Sequence, residues 1–247
     1  RMVSDGAMLK LIRQWLEMAV EEDDGKGGKR RTTQARDNRQ GTPQGSPLSP
    51  LLSNVYMRRF ILGWEKLGYR KAYAGKIVAY ADDFVILCKA GAATAAREAM
   101  ERIMKVMKLQ VNERKTRTAR VPEESFEFLG YRFGVSHSPR GKGNVIAPQP
   151  SKKAIGKITE AISAETGREH YWKPVEMLVG TLNEKLRGWK AYFQVGWCSQ
   201  AYRVVDNHAR HRLRQWLNGK HQSRGYVRYR HNPTYLHGKL GLIRLGR

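Results

Sequence analysis

The sequence predicts an α+β fold, in which an antiparallel sheet packs with helices and an all-helical region follows. Over the first half, segments of helical and β periodicity alternate in the order helix, strand, strand, helix, strand, which is typical of this class. From about residue 149 onward the apolar residues recur at helical spacing. We therefore expect a sheet-containing domain over residues 1–148 and a helical domain over residues 149–247. The chain is 40% hydrophobic, which is enough to build a core.

The first half divides into elements at recognisable boundaries. The segment DGAMLKLIRQWLEMAV predicts an amphipathic helix, and EEDDGKGGKRRTTQARDNRQ predicts a loop or exposed ribbon. A helix is expected from about Pro50 to Trp64, with Ser49 able to cap it. The segment AATAAREAMERIMKVMK predicts a second helix whose methionine-rich face belongs to the core. The segments LQVNERKT and FEFLGYRFGV predict short β elements.

The stretch KIVAYADDFVILC, Lys76 to Cys88, predicts two short strands around a turn at Asp82 and Asp83. Apolar residues flank both acids, yet carboxylates are rarely buried unless they are paired or bind a metal. A turn between paired strands places the carboxylates at an exposed tip, where they can ligate Mg²⁺. Two such ions can activate an attacking hydroxyl and stabilise a leaving pyrophosphate. An ordinary Asp–Asp turn is the alternative, because YADD is only four letters.

The composition is strongly basic. The chain has 46 Lys and Arg against 22 Asp and Glu, a net charge of +24. This excess predicts a polyanionic partner, either nucleic acid or an anionic membrane surface. No apolar run approaches the roughly 20 residues of a membrane span. The two cysteines, Cys88 and Cys198, form no CxxC pair, which disfavours a zinc site or disulfide framework and suits a reducing cytosol.

The charge is concentrated towards the C-terminus. Residues 201–247 hold eleven Lys or Arg and a single acid, Asp206, for a net charge of +10. A basic run can be a solvated surface, but here aromatic residues are interleaved, which favours phosphate contact with base stacking on RNA or single strands. Arg210 and Arg214 lie one helical turn apart, whereas Arg212 cannot share their face. The interleaved aromatics are Tyr202, Trp216, Tyr226, Tyr229 and Tyr235.

Two long helices are expected in the second half. KPVEMLVGTLNEKLRGWKAYFQ carries an apolar stripe at Val175, Leu178, Leu182, Leu186, Trp189 and Phe193. SQAYRVVDNHARHRLRQWL carries another at Tyr202, Val205, Leu213, Trp216 and Leu217. His208 and His211 form an HxxH spacing on the second helix. They are interpreted as packing or RNA-facing residues, because no cysteine or acid accompanies them as a further zinc ligand.

Four motifs occur in an order and spacing that resemble the palm of a reverse transcriptase, most closely the proteins encoded by bacterial group II introns. They are QGTPQGSPLSPLLSNVYM, YADD, LQVNERKT and FEFLGYRF. In the second half, LNEKLRGWKAYF and the tail RYRHNPTYLHGKLGLIRL resemble the maturase domain of that family. The resemblance implies a partial polymerase palm over residues 1–148 and an all-α thumb/maturase domain, domain X, over residues 149–247.

The resemblance also implies roles for single residues. Asp82 and Asp83 match the family's catalytic, metal-binding acids, and Lys115 matches the lysine near the incoming triphosphate, where a cation can stabilise the leaving group. The residues implied at the nucleotide and template are Gly41, Pro43, Gln44, Gly45, Tyr80 and Lys115. The implied primer-grip hairpin centres on Phe128, Leu129 and Gly130. The residues assigned to RNA contact are Arg187, Lys190, Arg210, Arg214, Arg228 and Arg230.

One departure from the family pattern concerns the acids. A two-metal polymerase site normally takes a further Asp from an earlier palm strand, and no acid before Asp82 lies in a β-rich apolar run. We therefore expect that the fingers and first palm strands are missing from this sequence, and that the isolated chain does not polymerise DNA. The missing N-terminal half is then an expected partner.

The predicted function is RNA-directed DNA polymerase and maturase of a mobile group II intron. The implied cofactor is Mg²⁺, two ions in the complete enzyme. The implied partners are intron RNA, an RNA template with a DNA or RNA primer, and deoxynucleoside triphosphates, with no membrane involved and a bacterial cytoplasmic location. Two alternatives stay open: an RNA-binding splicing cofactor without polymerase activity, and a CRISPR-associated reverse transcriptase.

Overall fold

The computed structural model describes residues 5–17, 20–23, 29–32, 46, 48–137, 143–221 and 232–246. The chain divides into two compact units, Arg1–Thr116 and Arg117–Arg247. Both contain helices and small antiparallel sheets, so the α+β prediction is confirmed. The finer division into a palm and an all-α domain stays a prediction, because the second unit combines its helices with a three-stranded sheet.

The first unit contains two hairpins and four helices in its described residues. In chain order the elements are α1 (Gly6–Glu17), β1 (Val20–Asp23), β2 (Lys29–Thr32), α2 (Leu48–Lys66), α3 (Tyr69–Ala72), β3 (Lys76–Tyr80), β4 (Asp83–Leu87) and α4 (Ala93–Val106). Strand β1 pairs antiparallel with β2, in a register that sets Glu21 opposite Arg31 and Asp23 opposite Lys29. The predicted polar ribbon is therefore an antiparallel hairpin.

Helix α1 is the amphipathic helix expected at the start of the chain. The Asp5 carboxylate accepts hydrogen bonds from the backbone N–H groups of Ala7 (2.8 Å) and Met8 (3.4 Å), as a residue capping a helix N-terminus does. Its apolar residues remain exposed: the exposed fractions of Met8, Leu11 and Trp15 are 44%, 43% and 47%. Asp5 is thus occupied in capping its own helix.

The core of the first unit lies between α2, α4 and the β3–β4 hairpin. Its buried residues are Met57, Phe60 and Trp64 of α2, and Ala96, Ala99, Met100, Ile103 and Met104 of α4. The predicted methionine-rich face is therefore core. Helix α2 begins two residues before the predicted Pro50, and Ser46 supports its first turn by accepting from the N–H groups of Leu48 (3.3 Å) and Ser49 (3.1 Å). Proline fits there because first-turn N–H groups need no helical partner.

The β element predicted at LQVNERKT is wrong. Residues 109–112 are irregular and 113–115 form a turn. The Asn112 carbonyl accepts from the N–H groups of Lys115 (3.1 Å) and Thr116 (2.9 Å), and its side chain also accepts from Lys115 (3.3 Å). Asparagine commonly closes such local turns, and this one replaces the hydrogen bonds of a strand ladder. Leu109 and Val111 still pack against the core.

The second unit contains a three-stranded antiparallel sheet and a helical bundle. Its elements are β5 (Phe126–Phe128), β6 (Tyr131–His137), β7 (Asn144–Pro150), α5 (Lys152–Glu165), a 3₁₀ turn (Arg168–His170), α6 (Val175–Tyr192), α7 (Ser199–Lys220) and a π-helical turn (Tyr235–Lys239). The sheet order is β5-β6-β7. The predicted stripes of α6 and α7 are confirmed: Leu178, Leu182, Leu186, Val205, Leu213, Trp216 and Leu217 are buried together.

Two polar side chains attach the last described residues to the bundle. Asn183 of α6 donates to the carbonyl of Gly241 and accepts from the N–H of Ile243, both at 2.9 Å. The Asp206 carboxylate on α7 accepts from the N–H groups of Leu245 (3.0 Å) and Gly246 (3.2 Å). The single acid of the basic C-terminal region thus serves the fold, since it satisfies backbone donors that would otherwise lack partners.

Arg212 closes the C-terminal end of α5. Its guanidinium donates to the hydroxyl oxygen of Thr166 (2.9 Å) and to the carbonyls of Ser163 (3.0 Å) and Thr166 (3.2 Å). A cation at a helix C-terminus also interacts favourably with the helix dipole. Arg212 is therefore a structural residue, as the helix spacing suggested. In the described part of the chain, no helix is long and apolar enough to cross a membrane.

Replacing Arg212 by Gln should lower the free energy of unfolding by about 1–3 kcal/mol, because charge-assisted hydrogen bonds to the end of α5 are lost. Replacing Arg210 by Gln should change it by less than about 0.5 kcal/mol, because the Arg210 guanidinium donates to the nearby Asn207 side chain at the exposed surface of the same helix. Urea unfolding of both variants measures the difference. Equal stability of the two would contradict the role assigned to Arg212.

Candidate functional site

The β3–β4 hairpin presents the two adjacent acids. Tyr80 pairs with Asp83, so Ala81 and Asp82 form a two-residue turn and Asp83 begins strand β4. Asp82 and Asp83 are both exposed. Ala81 has φ 53°, a left-handed conformation that favours glycine and costs a residue with a Cβ roughly 1–2 kcal/mol. The predicted hairpin and its exposed acidic tip are thus present, with a strained residue directly before the acids.

The two faces of this hairpin differ. Ile77, Phe84 and Ile86 pack against the helical core. The register places Asp83 on the opposite face with Tyr80 and Val78, whose exposed fractions are 66% and 41%. Asp83 therefore shares an open face with an exposed aromatic ring, so neither acid is a buried charge that needs compensation.

Aromatic side chains of α2 fix the hairpin in place. The rings of Phe60 and Phe84 lie 5.1 Å apart, and Phe60 is fully buried, so the strand residue that follows Asp83 is anchored to the core. Trp64 Nε1 donates to the Gly75 carbonyl at 3.2 Å, just before β3 begins. A Cβ at Gly75 would lie 2.9 Å from the Trp64 ring, so only glycine fits there without a shift. The acidic tip therefore projects from a rigid base.

An open groove of about 270 Å³ lies beside the turn, between α2 and the hairpin. Its polar members are Asn54 and Arg58, one helical turn apart on α2, and Ala79 and Ala81 line it from the hairpin side. Asn54 and Arg58 were not predicted as site residues from the sequence. Their spacing of four residues could have indicated them, because it places both on one face of a helix whose apolar residues contact the hairpin.

The donor set at the tip suits a hard cation. Among the described residues, no group of three or more His, Cys, Asp or Glu side chains is placed to hold a metal ion. Two carboxylates nevertheless fit the way Mg²⁺ is usually bound, through one or two carboxylates with waters and substrate phosphates supplying the remaining oxygens. Asp82 and Asp83 are therefore two adjacent exposed carboxylates whose oxygens are of the type that hard cations prefer.

The other residues predicted at the nucleotide are only partly described. Lys115 is exposed in the turn closed by Asn112, and Tyr80 is exposed on the open face of the hairpin. Gly41, Pro43, Gln44 and Gly45 lie outside the described residues.

The hairpin predicted as a primer grip has a tight turn of its own. Phe128 pairs with Tyr131, leaving Leu129 and Gly130 as a two-residue turn with φ 50° and 77°. Left-handed values at both central positions indicate a type I′ turn, which matches the twist of the flanking strands. A bulky residue such as Leu129 is rarely found in this conformation, so surrounding contacts must hold it.

Tyr131 and Tyr192 supply those contacts through a reciprocal pair of hydrogen bonds. The Tyr192 hydroxyl donates to the Leu129 carbonyl at 3.0 Å, and the Tyr131 hydroxyl donates to the Tyr192 carbonyl at 2.7 Å. The Ser151 N–H donates to the Gly130 carbonyl at 2.8 Å. We call these three bonds the turn clasp. It joins the turn to the end of α6 and the start of α5.

Close packing reinforces the turn clasp. The ring of Phe193 would lie 3.2 Å from a Cβ at Gly130 and stands 5.0 Å from the Tyr131 ring. The Tyr202 hydroxyl donates to the Phe193 carbonyl at 2.6 Å. Burial raises the pKa of Tyr131 and raises that of Tyr202 to about 12. Both phenols therefore remain protonated donors at physiological pH.

Two protein-family models match the chain. The model of the family described as reverse transcriptase (RNA-dependent DNA polymerase) matches residues 4–133. The chain belongs to the reverse transcriptase family. A second model, described as the group II intron maturase-specific domain, matches residues 155–236. No individual curated protein matches the chain.

The two matches identify the chain as a group II intron reverse transcriptase and maturase, with the domains of an RNA-directed DNA polymerase and an intron-splicing factor. The β3–β4 hairpin and the Leu129–Gly130 turn lie within the reverse transcriptase match. Tyr192 lies within the maturase match. The turn clasp therefore connects the two matched segments inside one compact unit.

The residues assigned to RNA contact lie on the maturase helices where they are described. Arg187 is exposed on α6, and the Lys190 ammonium stands 5.9 Å from the centre of the Tyr202 ring. Arg210 and Arg214 lie one turn apart on α7. Arg228 and Arg230 are outside the described residues.

His208 of the maturase helix α7 packs against α5. Its Nε2 lies 2.9 Å from the Ser163 hydroxyl of α5. Burial lowers the pKa of His208, and the neighbouring Arg212 and His211 contribute in the same direction. No metal-binding group that includes it is found among the described residues.

The single variants Tyr131→Phe and Tyr192→Phe should each have a free energy of unfolding lower by about 0.5–1 kcal/mol, since each loses one hydrogen bond and keeps the ring. The double variant should lose less than the sum, because both bonds join the same two segments. Urea unfolding of the four proteins in the cycle measures this coupling.

Tyr171→Phe is the matched control, because Tyr171 packs edge-on against Trp216 in the same unit. It should change the free energy of unfolding by less than about 0.5 kcal/mol. Strict additivity of the two turn-clasp variants would show that the bonds act independently.

Proposed function

We propose that Asp82 and Asp83 are the magnesium-binding acids of RNA-templated DNA synthesis by this protein. The observation that carries the proposal is the adjacent exposed pair of carboxylates on a hairpin anchored by Phe60 and Trp64. A rigid base matters because catalytic groups must be held close to their productive geometry before the substrate arrives. Their neighbour Tyr80 gives the same face an aromatic surface for the nucleotide or primer end.

Mg²⁺ bound at these carboxylates would activate the primer 3′-hydroxyl and offset charge on the leaving pyrophosphate. The residues of the chain have supporting roles. Lys115 supplies a cation for the triphosphate of the incoming deoxynucleotide, where developing negative charge is greatest. Arg58 and Asn54, in the groove beside the turn, offer a guanidinium and an amide to the same substrate. Gly41, Pro43, Gln44 and Gly45 are proposed to complete the nucleotide and template site.

The primer-grip role is proposed for Phe128, Leu129 and Gly130. Their turn has its two carbonyls held by Tyr192 and Ser151, which fixes the backbone that a primer strand would contact. A photoreactive pyrimidine at the primer 3′ end should crosslink to the peptide with residues 126–133.

The maturase role rests on the basic helices of the second unit. We propose that six basic residues contact the phosphates of intron RNA in the bacterial cytoplasm. They are Arg187, which is exposed, and Lys190, Arg210, Arg214, Arg228 and Arg230. We further propose that the thumb/maturase domain spans residues 149–247 and the C-terminal palm residues 1–148.

Replacing both Asp82 and Asp83 by Ala should reduce Mg²⁺-dependent cDNA synthesis by roughly a thousand-fold or more, because several kcal/mol of charge stabilisation are removed. Intron splicing should largely persist, since the variant leaves the maturase helices intact. Primer extension and splicing assays on one preparation measure both. Glu98→Ala, which removes another exposed carboxylate of the same unit, is the control. Normal extension by the double variant would refute the assignment.

Replacing Arg210 and Arg214 together by Gln should flatten the dependence of log K on log salt by about 1.4–1.8, at about 0.7–0.9 for each phosphate contact. Filter binding of a structured intron RNA over a salt series measures the slope. Arg212→Gln is the control, because it should lower stability and leave the slope unchanged. An unchanged slope in the double variant would show that Arg210 and Arg214 contact no phosphate and that this face of α7 is a solvated surface.

A further inference from the structure

Trp172 is an exposed aromatic side chain in the loop between the 3₁₀ turn and α6. Its exposed fraction is 71%, whereas Trp64 and Trp216 of the two cores are 1% exposed. Tryptophan contributes a large apolar area and is favoured where a binding partner covers it. The turn clasp and the RNA-contact arginines leave Trp172 without a role.

The backbone on both sides of Trp172 is fixed by a single lysine. The Lys220 ammonium, in the last turn of α7, donates to the carbonyl of Tyr171 at 2.8 Å and to the carbonyl of Lys173. The same ammonium stands 4.9 Å from the centre of the buried Trp216 ring. The residues before and after Trp172 are thus tied to the bundle core while its own ring faces solvent.

The charges around Trp172 are largely balanced. The Lys173 ammonium stands 5.9 Å from the Trp172 ring and pairs with Glu165 at 3.4 Å, and Lys185 pairs with the same carboxylate at 3.3 Å. Burial acts to raise the pKa of Glu165, but the two lysines outweigh it and hold that pKa below its ordinary value. Glu169 and Glu176 are exposed in the same stretch. Attraction of phosphate to this site is therefore modest, and the ring is its main binding feature.

We propose that Trp172 is a stacking platform for an unpaired base of the RNA bound by the maturase domain. The proposal rests on the RNA-binding function proposed above and adds a site of different chemistry. Unpaired bases stack on aromatic rings with little dependence on sequence, and the backbone that carries this ring is fixed before binding. A base in a loop or bulge fits this site, whereas the stacked bases of a continuous duplex cannot reach the ring.

The experiment compares two RNA probes with four proteins. The probes are an RNA hairpin with an unpaired adenosine loop that carries 2-aminopurine, and a blunt duplex with the same stem. The proteins are the wild type, Trp172→Ala, Trp172→Phe and Trp15→Ala. Trp15 is 47% exposed but lies on α1, outside the maturase match. Because Trp172 is mostly in solvent, its replacement should leave folding intact, and circular dichroism checks this.

Trp172→Ala should weaken binding of the hairpin about ten-fold, within the range expected for one stacked base. It should abolish 2-aminopurine quenching and leave the salt dependence of binding unchanged, because no phosphate contact is lost. Trp172→Phe should recover most of the affinity. Trp15→Ala should bind as the wild type does, and all four proteins should bind the duplex equally.

Two results separate failure of this inference from failure of the proposed RNA-binding function. Unchanged hairpin affinity and quenching in Trp172→Ala, with binding otherwise intact, would overturn the platform and leave the exposed ring to a protein partner. Equal weakening for hairpin and duplex would also overturn it. Absence of hairpin binding by the wild type would instead refute RNA binding by this unit.

Discussion

The reciprocal tyrosine bonds at the Leu129–Gly130 turn are the constraint on which the second unit depends. They hold a leucine in a backbone conformation that its side chain disfavours, and they do so from the end of α6, whose buried residues form part of the bundle core. Without the end of α6, the turn would lose these hydrogen bonds, which hold it in that conformation. The hairpin of the reverse transcriptase match is therefore built by the maturase bundle rather than by the strands alone.

The same design occurs at the acidic hairpin of the first unit. There too a two-residue turn has a residue with a Cβ, Ala81, in the left-handed region, and aromatic packing anchors the strands, with Phe60 and Trp64 in the roles of Phe193 and Tyr192. Local strain at a turn persists only where the surroundings over-determine it, and it concentrates at functional sites. Both turns that the polymerase reaction is proposed to use have this feature, each within its own unit.

The periodicity of apolar residues predicted the elements whose structure depends on local sequence. The stripes of α6 and α7 and the YADD hairpin follow from spacings of 3.6 and 2 residues, and the buried side chains agree. Contacts between distant residues could not be predicted. Nothing near Tyr131 indicates a bond to Tyr192, and the spacing that separates Arg212 from Arg210 does not indicate that Arg212 contacts the end of α5. The strand expected at LQVNERKT does not form, because Asn112 closes a turn there. The groove residues Asn54 and Arg58 lie outside the buried apolar face of α2, so the apolar periodicity of that helix did not indicate them.

Amide hydrogen exchange of the whole chain tests most directly whether the primer-grip hairpin and the maturase bundle form one cooperative structure. An isolated hairpin is marginally stable and opens with little free energy, whereas residues of one cooperative unit share their opening free energy. If the hairpin and the bundle form one cooperative structure, the paired amides of β5 and β6 should exchange with an opening free energy within about 1 kcal/mol of that for Leu182 and Leu186 on α6. Exchange of β5 and β6 at opening free energies several kcal/mol lower, while α6 stays protected, would contradict it.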